Sequence, residues 1–381
     1  MSYVCQTKNS CIKLPFFMRK FFVSITLFSV IVLLLSSCTQ TATTNPNIVP
    51  TKMTISLSKT TVIADGVDKA EVTVKDQAGN DISATSIIVV DGAAIVGTGV
   101  SFESNQIGTY QVFASKFGII SDTLNITSVA PPAAKYSTKV LAEHYTGAWC
   151  GWCPRMVHKV NNFVQNNNKI IPVRFHNNDG LSSGSIDSAL RARFNITAVP
   201  NVVINRTSIF QENGDVNNLA DSVEFRRFLQ KRSVLGLALN TTISGNNLNV
   251  TARVGFDATI SDSLKLIVLL TESGLVLPQT NYYSNNPNYP GTPFFSSGNP
   301  ISNFIHQSVF RRSPTTAFGV TIPVSAQTKN GEHTTNYTID ITGLNPTNLR
   351  VVAFVVYAEN QPKTGLLNVQ TVAAGGTQAY D

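Results

Sequence analysis

The chain changes its hydrophobic period twice, and those two changes bound the folds open to it. Residues 51–129 alternate apolar and polar positions in short runs (54–58, 70–74, 109–114), separated by turn signals such as Asp65-Gly66 and Asp91-Gly92. Period-2 alternation at this spacing predicts a small β-sandwich. Residues 136–235 interleave two periods. Strands are predicted at 139–145, 170–175 and 202–205, and helices at 154–166, 186–194 and 221–232. Such interleaving means helices packed on a sheet, an α/β domain. From residue 236 the two-residue period returns, with strands predicted at 235–239, 248–254, 264–270, 336–341 and 349–357. The expectation is a multidomain chain: a β-sandwich over 51–130, an α/β domain over 136–235 and a C-terminal β-sandwich over 236–381. The length of 381 residues fits two or three domains better than one.

The N-terminus carries an address. Residues 21–35 are an unbroken apolar run preceded by Arg19 and Lys20, shorter than the roughly 20 residues that span a bilayer. The run ends in Leu35-Ser36-Ser37-Cys38, which resembles a bacterial lipobox. Residues 1–37 are therefore expected to be a signal peptide, and Cys38 the site of lipidation. Met18 begins a better signal peptide than Met1, and Cys5 and Cys11 are lost with the signal from either start. Several acyl chains on one cysteine give stable anchoring, at about 0.8 kcal/mol per buried methylene. Thr39 and Gln40 follow, with no aspartate of the inner-membrane retention kind, which favours the outer membrane. Residues 38–50, rich in Thr and Pro, read as a flexible tether.

The formal charge of +7 falls by four to +3 once Lys8, Lys13, Arg19 and Lys20 are removed with the signal. So small a balance leaves no electrostatic footprint for nucleic acid. The positive excess lies in 136–235, much of it in Arg226, Arg227, Lys231 and Arg232, a pattern that reads as the solvated face of one helix.

Two of the three cysteines expected in the mature chain stand in Trp149-Cys150-Gly151-Trp152-Cys153-Pro154, after a predicted strand and before a predicted helix. In an oxidising compartment such a lone pair points to a redox pair more than to a brace. A thiolate at a helix N-terminus faces unpaired backbone N–H groups and the positive end of the helix dipole. Cys150 is expected to be the exposed attacking sulfur, and Cys153, one turn along, the buried sulfur that resolves a mixed disulfide. Other chemistries fit less well. A c-type haem needs Cys-x-x-Cys-His, and Pro154 stands in the histidine position. Zinc needs two more ligands, and His158 lies off the face that could supply one; it is expected to face solvent. No metal or other cofactor is implied.

The segment 136–235 resembles the thioredoxin fold in its Cys-x-x-Cys after the first strand, in Phe194-Asn195-Ile196-Thr197-Ala198-Val199-Pro200 before a strand, and in the order of elements between them. The resemblance implies a cis peptide before Pro200, which would present a free backbone edge to an extended substrate. It also implies a buried acid beneath the pair that relays a proton. Aligned on the first cysteine, that position falls on Glu143 or His144, with Glu143 preferred. Gly-Trp between the cysteines and Asn195 in place of glycine depart from the family pattern. An insertion at 176–185 is expected to form a lid or a plain loop.

Residues 64–80 resemble the bacterial immunoglobulin-like repeats of invasin and intimin, which implies a spacer or stalk. Three further features resemble the outer membrane protein 28-related lipoproteins of Gram-negative bacteria. These are Glu143-x-x-Thr146-Gly147-x-x-Cys150-x-x-Cys153-Pro154, the later Ile305-His306-Gln307-Ser308-Val309-Phe310-Arg311, and Leu366-Leu367-Asn368-Val369-Gln370. The resemblance covers about 136–375 and implies an outer-membrane lipoprotein with a thioredoxin-like core. Phe310 stands where an aliphatic residue is expected. A long excursion at 277–309, rich in Asn, Pro, Tyr and Ser, is expected to cover a sheet edge or bind a ligand.

Two functions follow as expectations. One is a membrane-tethered thiol–disulfide oxidoreductase whose partners are protein thiols and disulfides, with Cys150, Cys153, Pro200 and Glu143 or His144 as its site. The other is a non-enzymatic surface-binding lipoprotein that uses the α/β unit as scaffold.

Overall fold

The computed structural model describes residues 49–95, 100–210, 222–290, 292–361 and 363–381. The expected signal peptide, Cys38 and the tether up to residue 48 lie outside the described residues.

The first module is two sheets around one core. Strands Met53–Leu57, Ala70–Asp76 and Ser101–Phe102 form a three-stranded sheet. Thr61–Ile63, Leu124–Val129, Gly108–Lys116 and Ile87–Val90 lie side by side in a six-stranded one. Val72, Val74 and Phe102 from the first sheet meet Val62, Ile88, Val112 and Ile126 from the second. The buried and open positions of Ala70–Asp76 alternate as its sequence does. Each valine so buried stabilises the module by roughly 1.5–3 kcal/mol. Asp91 (φ 47°) and Gly92 (φ 81°) form the two-residue hairpin between Ile87–Val90 and Ala93–Ile95. Positive φ at both positions is what a tight hairpin demands, and Asp-Gly supplies it.

This module is not a free stalk. Lys69 pairs with Asp262 at 2.9 Å and Lys363 with Glu103 at 2.6 Å, and Val67 is buried in the C-terminal core. Residues 49–381 form one compact unit, in which Pro131-Pro132 joins packed parts rather than spacing them.

The rest is organised by one nine-stranded sheet that runs across residue 235 without a break. Its order is Ser208–Phe210, Asn201–Ile204, Val140–Thr146, Ile170–His176, Val309–Arg312, Leu264–Glu272, Leu349–Tyr357 and Leu366–Ala373, with Val320–Ile322 beside Leu264–Glu272. The two halves meet where Arg174 stands opposite Val309 and donates its N–H to the Ser308 carbonyl at 2.8 Å. A four-stranded sheet of Glu332–Asp340, Asn247–Phe256, Leu235–Ser244 and Thr377–Gln378 covers one face of the C-terminal half. There Leu237, Leu239 and Val250 pack against Leu266, Val268, Val351 and Val355, so the two sheets share one core. The opposite face carries Ile267, Leu269, Val352 and Phe354 into one core with Leu141, Tyr145, Phe175 and Leu190. Residue 235 therefore marks a change of period, not a gap in the packing.

Three helices flank the N-terminal half of this sheet: α1 (Cys153–Asn166), α2 (Ser185–Arg193) and α3 (Ser222–Leu229). α1 starts with Pro154 in its first turn, where a missing N–H costs nothing. It buries Met156, Val160 and Phe163, one face at helical spacing, against Val140, Ala142, Val202 and Ile204. α3 adds Phe225 and Phe228 to that core and leaves Arg226 and Arg227 exposed, but it ends at Leu229, so Lys231 and Arg232 are not on it, and Arg232 pairs with Asp257.

Candidate functional site: the Cys150–Cys153 turn

The buried strand Val140–Thr146 ends in a turn that delivers the chain into α1. The Cys150 N–H donates to the Gly147 carbonyl at 3.0 Å, and the Cys153 N–H to the Cys150 carbonyl at 3.1 Å. Cys150 and Cys153 are joined as a disulfide with their Cα atoms 5.4 Å apart. Regular helix begins at Cys153, so Cys150 sits in the turn before it.

Cys150 is not exposed, contrary to expectation: it is only 5 % open to solvent and Cys153 not at all, while Trp149 and Trp152 beside them are 50 % and 42 % exposed. The cover comes from the 277–309 excursion, which lies on this turn rather than on a sheet edge. The Gln279 side-chain amide points at the carbonyls of Cys150, Ala148 and Gly147, at 2.9, 3.1 and 3.3 Å. The Thr280 N–H donates to the Ala148 carbonyl at 2.8 Å and the Tyr282 N–H to the Gly151 carbonyl at 3.0 Å. The ring of Tyr282 lies so close over Gly151 that a Cβ there would stand 2.4 Å from it. Trp152 meets Tyr282 and Tyr283 edge-on, both at 5.4 Å between centroids.

Strand alternation separates the two candidates for the buried proton-handling group. Val140 and Ala142 face α1, and His144 shares their face; Leu141 and Tyr145 face the other way, and Glu143 goes with them. Glu143 is fully buried there and held by Arg206, whose Nη2 donates to Oε1 at 2.8 Å and whose Nε lies 3.2 Å from both oxygens. Arg206 also donates to the Ala317 carbonyl at 2.7 Å and lies over the ring of Phe354. Glu143 is one half of a buried ion pair on the face of the strand turned away from α1. His144 is on the face that α1 covers. It is fully buried, and neither ring nitrogen has a hydrogen-bond partner among the described residues. Burial first, then the charges of Arg174, His176 and Arg191, push its pKa well below the ordinary histidine value, so the imidazole is neutral.

Pro200 follows a cis Val199–Pro200 peptide. Tyr145 stands opposite Asn201, so Pro200 lies at the end of the sheet from which the cysteine turn springs.

The insertion after Ile170–His176 is a brace, not a lid. Asp179 accepts from the Ala148 N–H at 2.7 Å, the Leu181 N–H at 2.8 Å and His176 Nδ1 at 2.8 Å. These bonds outweigh burial and hold its carboxyl below the usual range. His176 packs edge-on against His306 at 4.8 Å, and His306 Nε2 meets the Leu277 carbonyl at 3.1 Å. Burial and the neighbouring His176 push the His306 pKa down to about 4. His158 does not face solvent freely: it lies edge-on to Phe294 at 5.8 Å and 3.0 Å from the Asn162 amide.

The other two motifs do structural work. Phe310 packs against Phe175, rings tilted by 40° and 5.1 Å apart, where the sheet halves join, which accounts for an aromatic at that position. The buried Asn368 amide donates to the Ser137 and Leu235 carbonyls and to Ser233 Oγ, at 2.9–3.0 Å, and so latches the α/β part to the sandwich.

Sequence reasoning missed Gln279, Asp179 and the covering role of Tyr282. No periodicity marks Gln279, which lies well over a hundred residues from the cysteines it contacts. Asp179 sits in the 176–185 insertion, whose Asp-Gly reads only as a turn.

Among known structures the chain is similar to HBP35 of Porphyromonas gingivalis, at 18 % identity and a TM-score of 0.50, over 63 % of this chain and 76 % of that one. That level of likeness speaks to the fold alone. The Yersinia pseudotuberculosis adhesin InvE aligns at 9 % identity and a TM-score of 0.17 over 84 % of this chain and 58 % of that one. No protein of curated function matches. Among the described residues no helix is long and apolar enough to cross a membrane. The model of the family described as Outer membrane protein Omp28 matches residues 187–378, which leaves the cysteine motif at 143–154 upstream of the match. With half its length so matched, the chain belongs to the outer membrane protein Omp28 family and is an outer-membrane-associated protein.

Proposed function

We propose that this protein is an outer-membrane lipoprotein, anchored through lipid on Cys38, whose thioredoxin-like unit exchanges thiols and disulfides with proteins of the envelope. One observation carries the reading: a disulfide formed between neighbouring cysteines where a buried strand turns into α1, with a neutral buried imidazole on the same face of the sheet.

A substrate thiolate attacks Cys150 Sγ, forming a mixed disulfide and breaking the Cys150–Cys153 bond; Cys153 leaves as a thiolate and takes up a proton. A second substrate thiol then displaces Cys150. The substrate departs as a disulfide, two electrons poorer, and Cys150 and Cys153 are left as thiols. The reverse sequence reduces a substrate disulfide. In this reading Pro200 positions the substrate backbone, and His144, rather than Glu143, passes the proton. Replacing Cys150 by serine is expected to abolish turnover of a small disulfide reporter. Equal rates for the variant and the unaltered protein would end the enzymatic reading.

A second reading is favoured by the cover over the disulfide. A pair shut beneath Gln279–Tyr283 also suits a structural cross-link in a surface-binding protein, with the α/β unit as scaffold. Binding to host matrix or glycan that survives replacement of both cysteines would support that reading, and no binding to any surface tested would count against it.

A further inference from the structure

The five residues Gln279–Tyr283 lie on the cysteine turn. The N–H groups of Thr280 and Tyr282 donate to the Ala148 and Gly151 carbonyls. Gln279 adds a side-chain amide aimed at the carbonyl of Cys150 itself. Behind this contact the segment is braced on its own side, where the Asn281 amide donates to the Phe294 and Gly298 carbonyls, both at 2.9 Å. Lifting it away from the cysteine turn breaks the contacts to Ala148, Cys150 and Gly151 while the brace stays intact.

Resting on the thiol–disulfide reading, we propose that Gln279–Tyr283 is an internal cap over the Cys150–Cys153 disulfide. A partner thiol then reaches Cys150 only when the cap opens. Opening breaks the bonds to Ala148, Cys150 and Gly151 together with that from the Tyr283 hydroxyl to the Trp152 carbonyl at 3.3 Å, and leaves the Asn281 brace in place. A partner polypeptide that takes up the same carbonyls stabilises the open form by taking the segment's place.

The test reads reduction of the chain's own disulfide. Dithiothreitol supplies the two electrons and leaves as its cyclic disulfide, and the two thiols released on Cys150 and Cys153 are trapped by alkylation and counted by mass. The full mature chain is compared with Gln279→Ala and, separately, Tyr282→Ala, the latter at a half-exposed ring whose loss leaves the core intact. Each variant is expected to be reduced about tenfold faster, from the loss of one set of cap contacts. In the unaltered chain the rate is expected to be nearly independent of urea below the unfolding transition, the signature of local opening. Equal rates in all three proteins, or a rate in the unaltered chain that follows global unfolding in urea, would overturn the cap. Neither result depends on turnover of an added substrate. The cap can thus fail while the oxidoreductase reading stands, and an inert Cys150→Ser substitution would strike only the latter.

Discussion

Replacing Arg206 by methionine isolates what the Glu143 pair does. Arg206 supplies three close contacts to a carboxylate with no exposed surface, and a further bond to the Ala317 carbonyl at 2.7 Å. Methionine fills much of the same volume over the Phe354 ring but leaves a buried negative charge without its partner. Breaking one side of such a pair costs about 3–5 kcal/mol. Arg193–Glu359 provides the internal control: its side chains are 45 % and 41 % exposed and meet at 3.2 Å, so Arg193→Met should cost no more than about 1 kcal/mol. The double change Glu143→Leu with Arg206→Met removes both charges and should recover most of the loss. Equilibrium unfolding in urea, followed by the fluorescence of Trp149 and Trp152, measures all four proteins on one scale. If Arg206→Met proves no more costly than Arg193→Met, the assignment of Glu143 to a structural role on the far face of the sheet is wrong.

Two further outcomes are expected. His306 titrates near 4 in the fold against about 6.5 unfolded, so the unfolded chain binds the extra proton first. Stability should therefore fall as pH drops from about 6.5 toward 4, by up to about 3 kcal/mol, and His306→Asn should flatten that slope in urea titrations; an unchanged slope would refute the assignment. Asn368→Ala leaves the Ser137 and Leu235 carbonyls and the Lys139 N–H without their buried partner, and should cost about 2 kcal/mol or more, read as a lowered unfolding midpoint.

Several elements were legible from local pattern: Ala70–Asp76 and Cys153–Asn166 bury one face, while Leu349–Tyr357, buried on both, shows as a continuous apolar run. The strands predicted at 70–74 and 349–357 and the helix predicted at 154–166 match Ala70–Asp76, Leu349–Tyr357 and Cys153–Asn166 to within one or two residues at most ends. Each carries its signal in its own residues. What escaped was every feature set by contacts between distant segments. The choice between Glu143 and His144 turns on which face α1 covers, which two adjacent residues cannot reveal. The continuity of the large sheet depends on Arg174 meeting Val309 across well over a hundred residues. The cover on Cys150 depends on Gln279 and Tyr282, polar or aromatic residues in a run with no period to betray its destination.

That single meeting of Arg174 and Val309 has a consequence for anyone cutting the gene. A fragment ending near residue 235 would strip Ile170–His176 of its neighbour and bare Phe175, leaving an open, sticky margin of main-chain donors and acceptors. Such a fragment invites fibrous self-association rather than independent folding. The cysteine-bearing half and its sandwich must therefore be inherited, expressed and engineered as one piece.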